Sequence, residues 1–253
     1  MKQKNNIKVA ISITTIRRKN EFNYLHDMLF DLKAAGVMED KRFHITVSES
    51  GSLTEKEKPG FLAEFPSVEK IFSKTSICAN QNVSKAILHN CYKGPEYVMY
   101  MNDDSEVHES FPDEVIKFLE KYPLYPCWSF YNAYDFITLP LAKEGKDIWD
   151  YPYKLYYGSL CWTMKRKDAN NYALCLHKYF QDGFRKAGNK LTQKNSTLAD
   201  LQLSKFLKKT YPKKNIGAHI PCLVNHVGTI SNMACAKTMI SYFHKTEHFK
   251  SGS

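Results

Sequence analysis

Three residues at the end of an apolar run, Asn102, Asp103 and Asp104, could do chemistry. They close the stretch "EYVMYMNDDSEVHESF", Glu96 to Phe111. A buried strand does not normally deliver carboxylates side by side. Two hard oxygen donors at a strand end suit Mg²⁺ or Mn²⁺, held by one or two carboxylates and completed by substrate phosphates. The plainer alternative is an acidic turn capping the next helix, and Ser105 and Glu106 fit that as well.

Three further positions carry possible chemistry. His226 lies in "LVNHVG", after an apolar segment and before a glycine, where a neutral imidazole could complete a metal site begun by Asp104. It could equally be a structural hydrogen-bonder. Asp200 lies in "LADLQLSKFL", near the start of a helix whose apolar face is Leu198, Leu201, Leu203 and Leu207. There it is either a first-turn acid favoured by the helix dipole or a general base for an acceptor hydroxyl. Gly158, in "YYGSLCW", marks either a close approach of backbone to a ligand or a bulge.

The elements that must position these residues follow from periodicity. Strands are expected at Lys8–Ile16, Arg42–Ser50, Val68–Lys74 and Glu96–Asp103. Between them come helices at Glu21–Gly36, with a stripe of Phe22, Leu25, Leu29 and Leu32, and at Asn80–Gly94. Another helix follows at Phe111–Pro123. Alternating strands and helices imply an α/β fold, a mostly parallel central sheet with helices on both faces. In such sheets ligands sit beyond the carboxyl ends of the strands, where Asn102, Asp103 and Asp104 fall. After Pro123 the pattern loosens into aromatic, turn-rich segments. A helix is expected at Asn195–Pro212, capped by Ser196 or Thr197, and a short strand and loop in "IPCLVNHVGTISNM". One domain spanning 1–253 is expected, with a nucleotide-binding half (1–123) and a partner-binding half (124–253).

Composition narrows the class. The chain has 253 residues, 43% of them hydrophobic and 13% aromatic, enough for a sizeable core. No apolar run reaches the roughly 20 residues of a membrane helix, and "MKQKNN" leads into a strand-like segment, not a signal peptide. Seven cysteines at irregular spacing, with no CxxC pair, argue against a disulfide framework or zinc site and for a cytoplasmic setting. Net charge is +10 and unevenly placed. From Cys161 onward there are 16 Lys and Arg against 4 Asp and Glu, and residues 1–160 hold 20 against 22. A basic half points to a polyanionic partner or an anionic surface, or simply to a solvated face.

Taken in order, these features resemble the GT-A glycosyltransferases, and within them the N-acetylglucosaminyltransferase IV-type enzymes. "ISITTIRRKNEFNYLHDMLFDL" is similar to their opening strand, Thr-x-x-Arg loop and helix. "NQN…YVMYMNDDSEV" resembles their helix and Glu-Asp-Asp strand, and "IPCLVNHVGTISNM" their Pro-Ser-Leu-x-Gln-His-Val-Gly-x-x-Ser-Ser ending. The resemblance implies a GT-A, Rossmann-like fold and a metal-dependent transfer from a nucleotide-sugar, a UDP-sugar, with Mn²⁺ or Mg²⁺. It implies Asp104 and His226 as metal ligands and Asp200 as the base of an inverting reaction. Thr14, Thr15, Arg17, Asn82, Asp103 and Gly158 are then the expected contacts to the donor, Arg17 being equally readable as a surface cation. Asn102 stands where the family has the first acid of its motif, so Asp104 carries the metal and Asp103 turns to the ribose or to a supporting role.

This chemistry has three needs: neutralisation of the leaving diphosphate, tolerance of an oxocarbenium-like state, and a base for the incoming hydroxyl. The acceptor is expected at the basic half. Its clusters "KRK" (Lys165–Lys167), "RKAGNK" (Arg185–Lys190) and "KFLKKTYPKK" (Lys205–Lys214) are interleaved with Tyr172, Tyr179, Phe180, Phe184, Phe206 and Tyr211. Basic residues among aromatics are a nucleic-acid footprint, so DNA carrying hydroxymethylated bases is the expected acceptor, as for phage and viral GT-A-like enzymes that modify DNA. The competing acceptor is a glycan on a protein or lipid carrier, with the basic face in peripheral contact with an anionic membrane. Two readings from other classes remain: a non-enzymatic nucleic-acid-binding α/β protein, and a metal-dependent phosphoryl or nucleotidyl transferase.

Overall fold

The structure is a computed structural model describing residues 7–16, 23–58, 60, 62–132, 134–156, 160–186 and 199–227; for residues 23, 135, 178–186, 199 and 200 it describes the backbone alone. The strands are β1 (Val9–Thr15), β2 (Phe43–Glu49), β3 (Glu69–Phe72), β4 (Tyr97–Asn102), β5 (Ser105–Val107), β6 (Trp128–Ser129), β7 (Ile148–Tyr151), β8 (Cys161–Lys165), β9 (Ile216–His219) and β10 (Val224–His226). The helices are α1 (Asn23–Ala34), α2 (Ala79–Tyr92), α3 (Phe111–Lys121), α4 (Asp135–Lys143), α5 (Arg166–Lys186) and α6 (Ala199–Thr210).

Eight strands form one sheet in the order β3-β2-β1-β4-β8-β6-β9-β7. The first four are parallel. β8 is reversed between β4 and β6, β9 runs with β6, and β7 is reversed at the far edge. The sheet is therefore mostly parallel, as the alternation of elements requires. Its carboxyl edge gathers the ends of β1, β2, β3 and β4, namely Thr15, Glu49, Phe72 and Asn102.

The run "YVMYM" of β4 is apolar throughout because both faces of the sheet are covered. Alternate side chains face opposite ways. Tyr97, Met99 and Met101 join a core with Leu25, Met28, Leu29 and Leu32 of α1 and Val115, Phe118 and Leu119 of α3. Val98 and Tyr100 join a second core with Val83 and Ile87 of α2, Tyr172 and Leu176 of α5, and Leu203 and Leu207 of α6. Each such leucine or methionine contributes about 1.5–3 kcal/mol relative to leaving it in water. Gly36 ends the α1 segment at φ +78 and Gly94 follows α2 at φ +81, left-handed positions that suit glycine.

The second part of the chain is more regular than its sequence suggests. Strands β6 to β9 extend the same sheet, but they are two to five residues long, too short for a period to register. Their aromatics are core: Trp128, Phe130, Tyr151 and Trp162 are fully buried. α5 was missed because its opening reads as a basic cluster. Ala169, Tyr172, Ala173 and Leu176 nevertheless follow the helical spacing and are all buried. Leu201, expected on the apolar face of α6, is instead 42% exposed; the buried pair is Leu203 and Leu207, one turn apart. The expected caps Ser196 and Thr197 lie outside the described residues. None of the six described cysteines is in a disulfide, and no described helix is long and apolar enough to cross a membrane.

Candidate functional site

Immediately after β4 the chain turns and forms β5, which pairs antiparallel with β10. The register sets Ser105 against His226 and Val107 against Val224. The Val227 amide donates to the Asp104 carbonyl at 3.0 Å, extending the ladder past the turn. This ribbon brings together two expected metal ligands that are far apart in sequence: His226 Nε2 lies 3.4 Å from Asp104 Oδ2. Their side chains are 21% and 14% exposed, sheltered but reachable.

A hard carboxylate beside an imidazole is a donor set that suits Mn²⁺, and Mg²⁺ through the carboxylate. Among the described residues no group of three or more His, Cys, Asp or Glu is placed to hold a metal ion. Two protein donors fit a cation that takes its remaining ligands from water and substrate phosphates, the usual pattern for these ions.

Asp103 points elsewhere. Thr15, at the end of the neighbouring strand β1, donates its hydroxyl to Asp103 Oδ2 at 2.6 Å. Both side chains are nearly closed to solvent, 3% and 4% exposed. The Thr15 hydroxyl is thus committed to orienting Asp103. Asn102 and Thr14 form a second link. Tyr100 donates its hydroxyl to Asn102 Oδ1. The Thr14 hydroxyl, 2.9 Å from the Tyr100 oxygen, must then be the donor in that bond. The residue that departs from the family motif is locked by its own strand.

Asn82, expected to contact the donor, is only 2% exposed and works as a staple. Its amide donates to the carbonyls of Ser48 at 2.9 Å and Thr15 at 3.4 Å, and its oxygen accepts from the Ser48 hydroxyl at 2.7 Å. That fills the side chain's donors and one lone pair, so it ties β1 to β2 instead of facing a ligand. Of the other expected residues, Arg17 and Gly158 lie outside the described residues, and Asp200 is placed by its backbone in the first turn of α6.

The same edge holds residues that the sequence reading passed over. Glu49 ends β2 with its side chain 1% exposed. It accepts from the amides of Gly51 at 2.8 Å and Ser52 at 2.7 Å and from the Ser52 hydroxyl, which folds the loop back on the strand. Gly51 sits at φ +85, and a Cβ there would lie 2.2 Å from the Thr75 carbonyl oxygen. Lys85 of α2 donates to the Ser73 hydroxyl at 2.9 Å, next to the end of β3. Burial lowers the pKa of its ammonium, against the pull of Glu49. The signal for Glu49 was present: an acid at the end of a strand followed at once by Ser-Gly.

The basic face differs from expectation in its aromatics. Tyr172 is 1% exposed, within the core shared with Trp162 and, at its margin, Phe206. Tyr211 donates its hydroxyl to Asp168 at 2.6 Å. Tyr172 faces inward on the buried stripe of α5, and Phe206 and Tyr211 are half-buried against the same core. Lys205, Lys208, Lys209, Lys213 and Lys214 stay exposed around them. Tyr179, Phe180 and Phe184 lie outside the described side chains.

No protein-family model matches the chain, and no curated protein matches it. Solved structures do. The structure of residues 1–349 of TarS from S. aureus in complex with UDP aligns over 84% of this chain and 57% of that one, with a TM-score of 0.51 and 9% identity. Another TarS structure aligns over 46% of this chain and 20% of that one, with a TM-score of 0.35 and 12% identity. The chain thus spans little more than half the length of the TarS segment it matches over most of its own length. At this identity the likeness is one of fold: a mixed α/β unit with a large, mostly parallel sheet between helices.

Proposed function

We propose that the chain is a glycosyltransferase that moves a sugar from a UDP-sugar to an acceptor hydroxyl, with inversion. The observation that carries this reading is the 3.4 Å approach of His226 to Asp104 at the carboxyl edge of the sheet, where ligands of such folds bind. The UDP complex of TarS, similar in fold, supports the choice of nucleotide.

In this reading Asp104 and His226 would hold a Mn²⁺ or Mg²⁺, whose chemistry when bound is to neutralise the leaving diphosphate. Asp103, nearly closed to solvent and held by Thr15, takes the supporting role of fixing the turn that carries Asp104. The acceptor oxygen attacks the anomeric carbon from the side opposite the diphosphate. The carbon–oxygen bond to the phosphate breaks, and its electron pair leaves with UDP. The acceptor proton passes to the carboxylate of Asp200, a residue whose backbone lies in the first turn of α6. Arg17 and Gly158 complete the donor contacts.

For the acceptor we take a glycan in preference to DNA. The lysines of α6 remain exposed, but Tyr172 is buried and Phe206 and Tyr211 are half-buried against the core, so they make a poor stacking platform for bases. The test is release of UDP from a panel of UDP-sugars in Mn²⁺, with and without oligosaccharide acceptors. Wild-type protein should release UDP slowly without acceptor and Asp104→Ala should not. Equal release by Asp104→Ala, or none by wild type from any donor, would refute the reading.

A further inference from the structure

A cavity of about 510 Å³ opens between α3 and the connection from β9 to β10, away from the Asp104–His226 pair. Glu114, Lys117, Phe118 and Lys121 line it from the helix, and His219 to Leu223 from the connection. Its location along the ribbon is set by hydrogen bonding. The His108 amide donates to the Leu223 carbonyl at 3.0 Å, one step beyond the Val107–Val224 pair. His226 closes the other end of the same ribbon, three residues from Leu223, or roughly 10 Å at strand rise. His219 ends β9, which runs parallel to β6 and hence in the direction of β4.

The walls define the chemistry of an occupant. Lys117 is already paired with Glu114 at 2.8 Å, and Lys121 with Asp147 at 2.6 Å. Two cations balanced by two carboxylates give no net attraction to a polyanion, but they present donors and acceptors around an opening. The floor is aromatic: the Phe118 and His219 rings meet edge to face at 4.7 Å. His219 is 5% exposed. A carbonyl can only accept, so the 2.6 Å contact with the Pro221 oxygen puts the ring hydrogen on Nδ1. Nε2 is then a lone-pair acceptor with no protein partner among the described residues. Burial holds the ring's pKa below its ordinary value, against the Pro221 contact and the nearby Glu114 and Asp147, which keeps that lone pair available.

We propose that this cavity is a subsite for an uncharged, polyhydroxylated ligand, a saccharide unit of the acceptor, with His219 Nε2 accepting a hydrogen bond from one of its hydroxyls. The assignment to the acceptor rests on the glycosyl-transfer reading; the preference for an uncharged polyol rests on the cavity alone. A saccharide ring offers the hydroxyls that paired charges can bind and an apolar C–H face for Phe118. The ribbon would then connect the acceptor end of the site to the donor end.

The test is methyl NMR on the whole chain, following Ile220 and Leu223 as chitobiose, maltotriose or inorganic phosphate is added. A saccharide should shift both resonances saturably, and phosphate should not. His219→Phe, which keeps an aromatic ring and removes Nε2, should weaken saccharide binding at least tenfold. Lys117→Trp, at an exposed rim position that tolerates substitution, should do the same by filling the mouth, so the test does not depend on one variant folding. No shift with either saccharide, a response to phosphate alone, or undiminished binding in Lys117→Trp would each overturn the proposal. UDP release by the wild type is measured in parallel. Release without saccharide shifts sinks the cavity assignment alone; shifts without UDP release from any donor keep the saccharide site and sink the transfer reading.

Discussion

Replacing Thr15 with Val should loosen the candidate site without altering its shape. The two side chains are nearly isosteric, and both are β-branched, so β1 keeps its packing and strand preference. What is lost is one hydroxyl, the donor 2.6 Å from Asp103 Oδ2. A hydrogen bond to a charged acceptor contributes about 1.5–3 kcal/mol, and removing the donor leaves a buried carboxylate short of a partner. Asp103 is 4% exposed, so water cannot simply replace Thr15, but it keeps other interactions, which argues for the lower part of the range. The expected loss is about 2 kcal/mol. For a chain of this size that is a fall in Tm of about 4–8 °C. Thr14→Val is the internal control. Its bond at 2.9 Å is to the neutral hydroxyl of Tyr100, so the loss should be nearer 1 kcal/mol. Urea and thermal unfolding of the three proteins measure both. Equal stability of Thr15→Val and wild type, or a larger loss in Thr14→Val, would refute the argument that Asp103 is held by Thr15.

Other outcomes follow from the same geometry. Gly51→Ala must place a Cβ 2.2 Å from a backbone oxygen at positive φ, and should cost about 3 kcal/mol or more, measured by unfolding or by loss of soluble protein. Asp31, on α1, has its pKa raised to about 6 by burial, with Glu106 and Asp27 adding repulsion. The native state therefore resists its ionisation, and stability is lost as pH rises from about 4 to 6. Asp31→Asn should match wild type below that window and exceed it above, by about 1 kcal/mol after allowing for solvent screening. A denaturation series from pH 3.5 to 7.5 checks the sign. Asp200→Asn should keep UDP binding while transfer to acceptor falls about 10²–10⁴-fold; retained transfer would remove Asp200 as the base.

The sequence was informative where elements are long and their burial is regular. The β4 run, the α1 stripe and the Gly36 and Gly94 stops each carry a local signal, so the parallel part of the sheet could be read directly. The contact between Asp104 and His226 could be read only as a pair of residue types. It depends on β5 and β10, three residues each, whose pairing is a tertiary fact with no local period. Asn82 shows the opposite difficulty. An amide near the carboxyl edge suggests a ligand contact, but in the folded chain Ser48 and Thr15 occupy it. The aromatics of the basic half misled for a similar reason. A tyrosine among lysines reads as a surface until the helical face is known, and Tyr172 lies on the buried face.

The central claim is that Asp104 and His226 form the cation end of a UDP-sugar site. The most direct measurement is calorimetric titration of UDP into wild type, Asp104→Ala and His226→Ala, each with and without Mn²⁺. The account predicts that Mn²⁺ tightens UDP binding to wild type at least tenfold, that Asp104→Ala abolishes this enhancement, and that His226→Ala weakens it. Failure of UDP to bind wild type with or without Mn²⁺, or the same enhancement in Asp104→Ala, would contradict it.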